Sequence, residues 1–353
     1  MKAFVTDGNG SATVRSDVAI PTPGPGEILV KVTHVAQNPT DWKGMKFGGP
    51  AGAIIGCDFA GLIADANGSH WPKGQAVAGL VFGKTTAPPR GAFAEYLVTE
   101  AGQVFAIPDG TSPQEAATLP LAYATAAQAL VQRLGLPELS RPANTADPVL
   151  VSGGATSVGM YAVQLAKQAG LFVVATANPR NHAMLRELGA DVVVDYADNN
   201  WPAHVRDLTK GRLQHALDCV SEKSTLADVA RALSQTQGGK VVTIVPRKQE
   251  DLDGVEGVGQ GVKVESTIVY TVFGRDVGES TPVYKLFDNT GLETLAGDRE
   301  FWEKQLRLLP GYLQDGKVKP NPVRERGGLD DLLEGFKEQE QGKVRAEKLV
   351  YKI

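Results

Sequence analysis

The stretch VLVSGGATSVGMYAVQLAKQAG, Val149 to Gly170, constrains the fold more than any other part of the chain. It opens with Val149-Leu150-Val151, a short apolar run suited to a parallel strand buried on both faces. The glycine turn Gly153-Gly154-Ala155-Thr156-Ser157-Val158-Gly159 follows. Val163, Leu165 and Ala166 then come at helical spacing, and Gly170 stands where a helix end is capped. Strand, glycine turn and helix in that order present backbone N–H groups at a helix N-terminus, where a pyrophosphate binds. Glycine at such a turn also serves merely to bring helix close to strand, so the residues after the turn decide the reading. Gly154 to Gly159 matches the first part of a P-loop, but Met160-Tyr161 stand where Lys and Ser/Thr are required. Ordinary ATP or GTP chemistry is thereby excluded.

After the turn, strand-like and helix-like segments alternate. Leu171–Ala177 reads as a second parallel strand, followed by a helix with Leu185 and Leu188 on its apolar side, ending at Gly189. Asp191–Tyr196, His215–Val220 and Lys240–Val245 give three more strands, and Lys263–Phe273 a sixth, longer one at the edge. Strands separated by helices predict a doubly wound parallel sheet, with a cofactor across the carboxyl ends of its strands.

The end of the second strand selects the cofactor. An enzyme using NAD carries an acidic residue there, about 20 residues after the glycine turn, to hold the ribose diol. This chain has Asn178-Pro179-Arg180-Asn181 instead. Arg180 can pair with a 2′-phosphate and the asparagines can donate to it, which predicts NADPH. A solvated arginine at a helix start is the competing explanation.

The first third is β-rich and turn-rich. Met1-Lys2-Ala3-Phe4-Val5 enters a strand pattern directly, without the core of a signal peptide. Ile20-Pro21-Thr22-Pro23-Gly24-Pro25-Gly26 is a rigid turn before a strand at Glu27–Val32. Val35 to Gly44 and Ile54 to Gly61 follow, then strands at Gln75–Leu80 and Gly91–Val98, the pattern of a small barrel-like domain. From Ser112 to Arg133 the pattern turns helical, with Ser112-Pro113-Gln114-Glu115 as its start and an interruption at Pro120. A linker from Pro137 to Pro148 leads into the glycine turn.

The chain's 353 residues suffice for two domains with a substantial core. A net charge of −4 without a dense basic cluster gives no support for nucleic-acid binding. No apolar run is long enough to cross a bilayer, so no membrane partner is expected. The two cysteines, Cys57 and Cys219, make no disulfide framework, which fits a reducing, cytoplasmic location. The five histidines, at positions 34, 70, 182, 204 and 215, show no ligand spacing, and no metal is expected.

In order along the chain, NPTDWK, GCDFAG, GAFAEYLV, AATLPLAYATAAQAL and VLVSGGATSVG with AVQLAKQAG resemble the medium-chain dehydrogenase/reductase superfamily. The resemblance covers essentially the whole chain. Within the superfamily it is nearest to the zinc-free quinone- and enoyl-reductase branch, and there to the trans-acting enoyl reductases of fungal polyketide synthases. It implies an α/β protein: a GroES-like β-rich catalytic domain, made from both chain ends, around a Rossmann domain with a doubly wound parallel sheet. The expected division is 1–121 and 286–353 for the catalytic domain and 122–285 for the Rossmann domain.

Zinc-bearing members place a cysteine shortly before an Asp and follow it with Gly-His-Glu. The corresponding segments here read Asn38-Pro39-Thr40-Asp41 and Gly56-Cys57-Asp58, which leaves Cys57 and Asp58 without a third ligand. Reduction of an alkene conjugated to a carbonyl needs no metal when hydrogen-bond donors stabilise the developing enolate.

The resemblance also implies site residues. Thr40, Asp41, Trp42 and Lys43 are expected at the cofactor, with Ala155, Thr156, Ser157 and Val158 of the glycine turn. Ser157 replaces a glycine of the quinone-reductase pattern, so a Thr156 or Ser157 hydroxyl is expected to bond the phosphate. Tyr196 joins Asn178, Pro179, Arg180 and Asn181 at the adenosine end; Ile244, Val245, Val344 and Arg345 complete the set. Lys43 and Thr125 are the candidate catalytic donors, each with a bland alternative: an exposed loop lysine, and a hydroxyl bonded to its own helix. Tyr123 is a further proton donor or a packing tyrosine. The substrate is expected along Pro120, Leu121, Ala122, Tyr123, Ala124, Thr125, Ala126 and Ala127, and at Thr271, Val272 and Phe273.

The long segment Gly274 to Gly297 lacks periodicity and lines the pocket in the resembled reductases, where it also alters the dimer edge; monomer and homodimer both stay open. Arg299–Leu313 and Gly327–Gln341 read as helices and Ala346–Ile353 as a closing strand. The implied activity is NADPH-dependent reduction of the α,β double bond of an enoyl thioester, carried by a polyketide synthase and acted on in trans, within secondary metabolism. A free-standing quinone or enone reductase is the alternative. A zinc alcohol dehydrogenase and a non-enzymatic cofactor sensor are the more distant ones.

Overall fold

A computed structural model describes residues 1–47, 49–86, 89–143, 145–274 and 292–353. The chain divides into two compact units. Unit one comprises Met1–Leu121, Tyr270–Gly316 and Pro320–Ile353; unit two comprises Ala122–Val269 and Lys317–Lys319. Most of the Gly274 to Gly297 segment, residues 275–291, lies outside the described residues. Among the described residues no helix is long and apolar enough to cross a membrane.

Unit one is the GroES-like unit. Its first strands are β1 (Ala3–Thr6), β2 (Ala12–Arg15), β3 (Glu27–Ala36), β4 (Asp58–Asp65) and β5 (Ala76–Leu80). Two-residue strands β6 (Thr85–Thr86) and β7 (Pro89–Arg90) form a small hairpin before β8 (Tyr96–Glu100) and β9 (Val104–Ala106). A helix absent from the sequence reading, α1 (Pro39–Phe47), leaves the end of β3. Pro39 fits a helix's first position, and the Asp41 carboxylate reaches back to accept the Asn38 N–H at 2.7 Å.

The helical run after Ser112 is broken as expected at Pro120, into α2 (Pro113–Ala117) and α3 (Pro120–Ala127), the latter continued by a wider turn over Gln128–Arg133. Ser112 and Glu115 make the reciprocal bonds of a capping box.

Unit two carries six strands: β10 (Pro148–Ser152), β11 (Phe172–Thr176), β12 (Val192–Val194), β13 (His215–Asp218), β14 (Gly239–Thr243) and β15 (Val262–Ser266). They pair in the order β12-β11-β10-β13-β14-β15, every pair parallel. Counted along the chain this is 3-2-1-4-5-6, the dinucleotide-binding arrangement, whose order reverses between β10 and β13. Helices α4 (Ser157–Gln168), α5 (His182–Glu187), α6 (Trp201–Leu208) and α7 (Lys223–Ala232) alternate with the strands. Leu150, Val174, Ala216 and Val241, from four adjacent strands, share one buried cluster with Leu226 and Val229 of α7. Gly170, with φ of 85°, closes α4 by donating to Lys167 O, as its position predicted.

The sixth strand is shorter than expected. It ends at Ser266, and residues 269–273, which include Thr271, Val272 and Phe273, form a 3-10 turn. The cause is the neighbouring strand: β14 stops at Thr243, whose carbonyl takes the Thr267 N–H, and beyond it no ladder is offered. The remaining elements belong to unit one. Helix α8 (Leu292–Gln314) begins earlier than the expected Arg299, and α9 (Leu332–Glu340) follows a short 3-10 turn. Strands β16 (Val323–Arg326) and β17 (Lys348–Lys352) then join the main sheet, ordered β16-β17-β3-β4-β5-β9 with β8 also on β3. Ile28, Val30, Phe59, Phe93, Leu332, Phe336 and Leu349 make its core.

Candidate active site

In unit two, the carboxyl ends of β10 and β11 are tied together. The Gly153 N–H donates to Thr176 Oγ1 at 2.9 Å and the Gly154 N–H to Thr176 O at 2.9 Å. A side chain at Gly159 would run into the Gly153 carbonyl, so the helix start sits hard against the turn. Thr156 is the N-cap of α4: its hydroxyl accepts the Gly159 N–H at 3.0 Å. Ser157 is the first helical residue, half-buried like Ala155, and Val158 turns inward.

Just beyond β11, Asn178 caps a short turn over Pro179–Asn181 through a 3.3 Å bond from the Arg180 N–H. The Arg180 guanidinium is exposed and makes no ion pair or side-chain hydrogen bond among the described residues. No carboxylate stands in the segment 177–182. Tyr196, after β12, is 55% exposed. At the ends of β13 and β14 the Ser221 hydroxyl, held by Asp218 O at 2.7 Å, accepts the Ile244 N–H at 2.9 Å. Val245 O accepts from Thr243 Oγ1. A helix N-terminus at the reversal point of a doubly wound parallel sheet is the place where such folds hold the pyrophosphate of a dinucleotide.

The residues of α3 are buried throughout, Pro120 and Leu121 in unit one, Ala122, Tyr123, Ala124, Thr125, Ala126 and Ala127 in unit two. Tyr123 packs edge-on against Tyr161 with centroids 6.0 Å apart.

In unit one, α1 carries its four expected residues in four environments. Lys43 is exposed, its Nζ 5.6 Å from the Trp42 ring centre. Trp42 is half-buried, and its indole Nε1 has no partner among the described residues. Asp41 is fully buried; one carboxylate oxygen takes the Asn38 N–H and Oδ1 takes none. Burial pushes the Asp41 carboxyl up to about 7, against the downward pull of the Asn38 N–H and the Lys84 ammonium. Thr40 is half-buried and hydrogen bonded to the Tyr270 hydroxyl at 2.8 Å. Val344 packs on the unit-one core and Arg345 is an exposed turn residue bonded to Gly342 O. The Thr271 hydroxyl donates to buried Asp298.

Two members of this cluster escaped the sequence reading. Lys84, 2% exposed, brings its ammonium to Thr40 O and Oγ1 at 3.4 and 3.5 Å. Tyr270 bridges Thr40 and the Cys57 thiol, which lies 3.4 Å away. The signal for Lys84 was the apolar run 76–82 leading into Gly83, which carries a buried strand into what looks like a polar turn. For Tyr270 it was adjacency to residues already singled out. Cys57 is pushed well above its ordinary range by burial and by Asp41.

Asp58, beside Cys57, is spoken for. Its Oδ2 accepts Lys348 Nζ at 2.6 Å and Asn38 Nδ2 at 2.8 Å, and its Oδ1 accepts the Leu121 N–H at 2.8 Å. Asn38 thus turns a donor toward Asp58. Among the described residues no group of three or more His, Cys, Asp or Glu is placed to hold a metal ion.

Comparison with known proteins gives the class. Residues 24–109 match the alcohol dehydrogenase GroES-like domain and residues 157–283 the family described as zinc-binding dehydrogenase. The chain is 37% identical to the trans-enoyl reductase caaB of Aspergillus niger, over 99% of this chain and 96% of that protein. It is 36% identical to the trans-enoyl reductase ACTTS2 of Alternaria alternata, over 100% and 98%. A solved structure of mycobacterial Rv1454c complexed with NADPH shares the fold at TM-score 0.74 and 21% identity, covering 100% of both chains. The chain belongs to the medium-chain dehydrogenase/reductase superfamily and is an oxidoreductase with a nicotinamide dinucleotide site.

Proposed function

We propose that the protein is an NADPH-dependent enoyl reductase that saturates the α,β double bond of an acyl thioester, carried by a polyketide synthase and presented in trans. The cofactor half rests on one observation: the turn after β11 offers the Arg180 guanidinium, unpaired among the described residues, and no carboxylate. A 2′-phosphate is matched by that arrangement, and a bare ribose diol is not. The substrate half rests on full-length relatedness to proteins named trans-enoyl reductases.

NADPH, when bound, supplies a hydride for the β-carbon. The work left to the chain is to hold the dinucleotide, fix the thioester carbonyl and meet the negative charge that collects on its oxygen. The α4 N-terminus and Arg180 hold the phosphates, and Lys43 and Thr125 are the expected donors. A metal-free reaction is part of the proposal. Its support is the donor set: Asn38 is a donor in place of a thiolate, Asp58 is bound to Lys348, and Cys57 is held as a thiol by burial.

The test is reduction of α,β-unsaturated acyl-pantetheine thioesters of graded length, with NADPH and NADH compared and a simple quinone alongside. Turnover of the thioester with NADPH, and little of the quinone, is expected. Preference for NADH, or a quinone turned over in place of the thioester, overturns the reading.

A further inference from the structure

The cluster around Thr40 holds a charge that the reaction as described above does not use. Lys84 is a buried ammonium whose hydrogen bonds among the described residues are all long, none shorter than 3.4 Å. Desolvating an ammonium costs several kcal/mol, and only close, well-formed bonds offset that. A lysine kept there for stability would be better replaced by an apolar chain of the same length. The backbone adds to the cost: Lys84 has φ of 78°, a region unfavourable to any residue that carries a Cβ. Its stem as placed runs against residue 44, a glycine, where a Cβ would strike the lysine's Cδ and Nζ. The nearby carboxylate does not close an ion pair, for Asp41 Oδ1 is buried and unpartnered.

The other contacts share one direction. Lys84 Nζ lies over the rings of Phe82 and Tyr270, 5.7 and 6.0 Å from their centres. The Tyr270 hydroxyl joins Cys57 Sγ to Thr40 Oγ1. Cys57, Tyr270 and Lys84 are all at most 3% exposed, and Thr40 alone among these bonded groups reaches partial exposure. Either atom can donate in the Cys57–Tyr270 and Tyr270–Thr40 contacts, whereas Lys84 can only donate; in the arrangement where the thiol donates to Tyr270 and Tyr270 to Thr40 Oγ1, the Thr40 O–H points away from the cluster. Two donors onto one hydroxyl oxygen polarise its own O–H bond and make it a stronger donor.

Resting on the enoyl-reductase reading, we propose that Lys84 and Tyr270 are positioning residues that make the Thr40 hydroxyl the principal hydrogen-bond donor to the thioester oxygen as it becomes an enolate. Hydride addition at the β-carbon shifts the π electrons of the alkene onto that oxygen. Thr40 meets the charge with an O–H strengthened by a fixed internal cation. No proton leaves Thr40 in this step, and the α-carbon takes its proton from water.

The experiment compares NADPH-saturated wild type, K84M, T40V, Y270F, T40S and the K84M/T40V double variant on two alkenes. One is an enoyl thioester; the other is a nitroalkene, whose anion needs far less stabilisation. On the thioester, K84M and T40V are each expected to lower kcat about a hundredfold, the effect of losing one such donor. KM for NADPH should stay within about twofold, T40S should recover most of the rate, and the nitroalkene should lose less than tenfold. The double variant should be no slower than either single one, because both remove the same donor. Y270F removes the hydroxyl that meets both Thr40 and Cys57 while keeping the ring in the core, so it tests the same selective loss if K84M fails to fold. Equal losses on both alkenes, or losses that multiply in the double variant, overturn the assignment while leaving the enoyl reading intact. A wild type inactive on the thioester overturns the enoyl reading and this assignment with it.

Discussion

Lys348 donates from Nζ to Asp58 Oδ2 at 2.6 Å, with the two side chains 1% and 0% exposed. The pair does more than neutralise itself. Asp58 also holds Asn38 at the start of α1 and the Leu121 N–H in α3, and Lys348 reaches Thr118 O at 3.3 Å. One carboxylate therefore fixes the entry to α1, the α2–α3 corner and the last strand. Breaking such a pair from one side leaves a buried charge without compensation, so K348M should destabilise unit one by about 3–5 kcal/mol. D58N/K348M should cost less than the two single changes added together. Urea denaturation of the four proteins measures both quantities, and additive losses would show the pair to be uncoupled.

Asp41 makes stability fall as pH rises. Its carboxyl is held up to about 7 by burial, above the ordinary 3.8, so the folded protein keeps a proton there that the unfolded chain releases. The contribution is present in full below about pH 4 and is lost progressively up to about pH 7, amounting to roughly 4 kcal/mol across that window. D41N keeps an acceptor for the Asn38 N–H and has nothing to titrate. Its unfolding free energy should therefore be flatter than wild type between pH 5 and 8; parallel curves would contradict the assignment.

Gly335, in α9, lies under the Tyr351 hydroxyl and the Gln37 amide, which bond each other at 2.6 Å, and a Cβ there would strike both oxygens. Gln37 also donates to Gly335 O at 2.9 Å. Alanine normally favours a helix interior by about 1 kcal/mol over glycine. Here overpacking should win, and G335A should lose about 1–3 kcal/mol. Adding Y351F removes the oxygen and should recover part of the loss; a stabilised G335A would mean that α9 can shift aside.

Arg180 should separate the two nicotinamide dinucleotides. R180A is expected to weaken NADPH about tenfold to a hundredfold, the range of a charge-assisted contact, and NADH by less than twofold. Fluorescence titration with each dinucleotide reads this directly. Equal weakening of both would assign Arg180 to the shared part of the cofactor or to the fold.

Much of the architecture was legible because local rules and the tertiary structure agree. Ser112 with Glu115, Pro120 and Gly170 act in the structure as their types predict, and the first five strands of unit two fall within a residue or two of their apolar runs. Where the reading failed, the deciding partner was distant. The sixth strand ends at Ser266 because Thr243 ends its neighbour, a fact absent from the sequence of 263–273. Lys84 was not singled out at all, because the glycine its stem lies against, Gly44, stands 40 positions earlier in the chain.

The interleaving of the two units along the chain has a consequence for birth on the ribosome. The six strands of unit two lie between residues 148 and 266 and pair only among themselves. Unit one must wait for β17, which enters between β16 and β3, and for Lys348, which lies 290 positions after Asp58. At about 5–20 residues per second the carboxylate spends roughly a quarter of a minute to a minute without its cation. The nucleotide-holding sheet can therefore be complete while the other sheet is still an open edge, and the nascent chain is most exposed to mispairing in that interval.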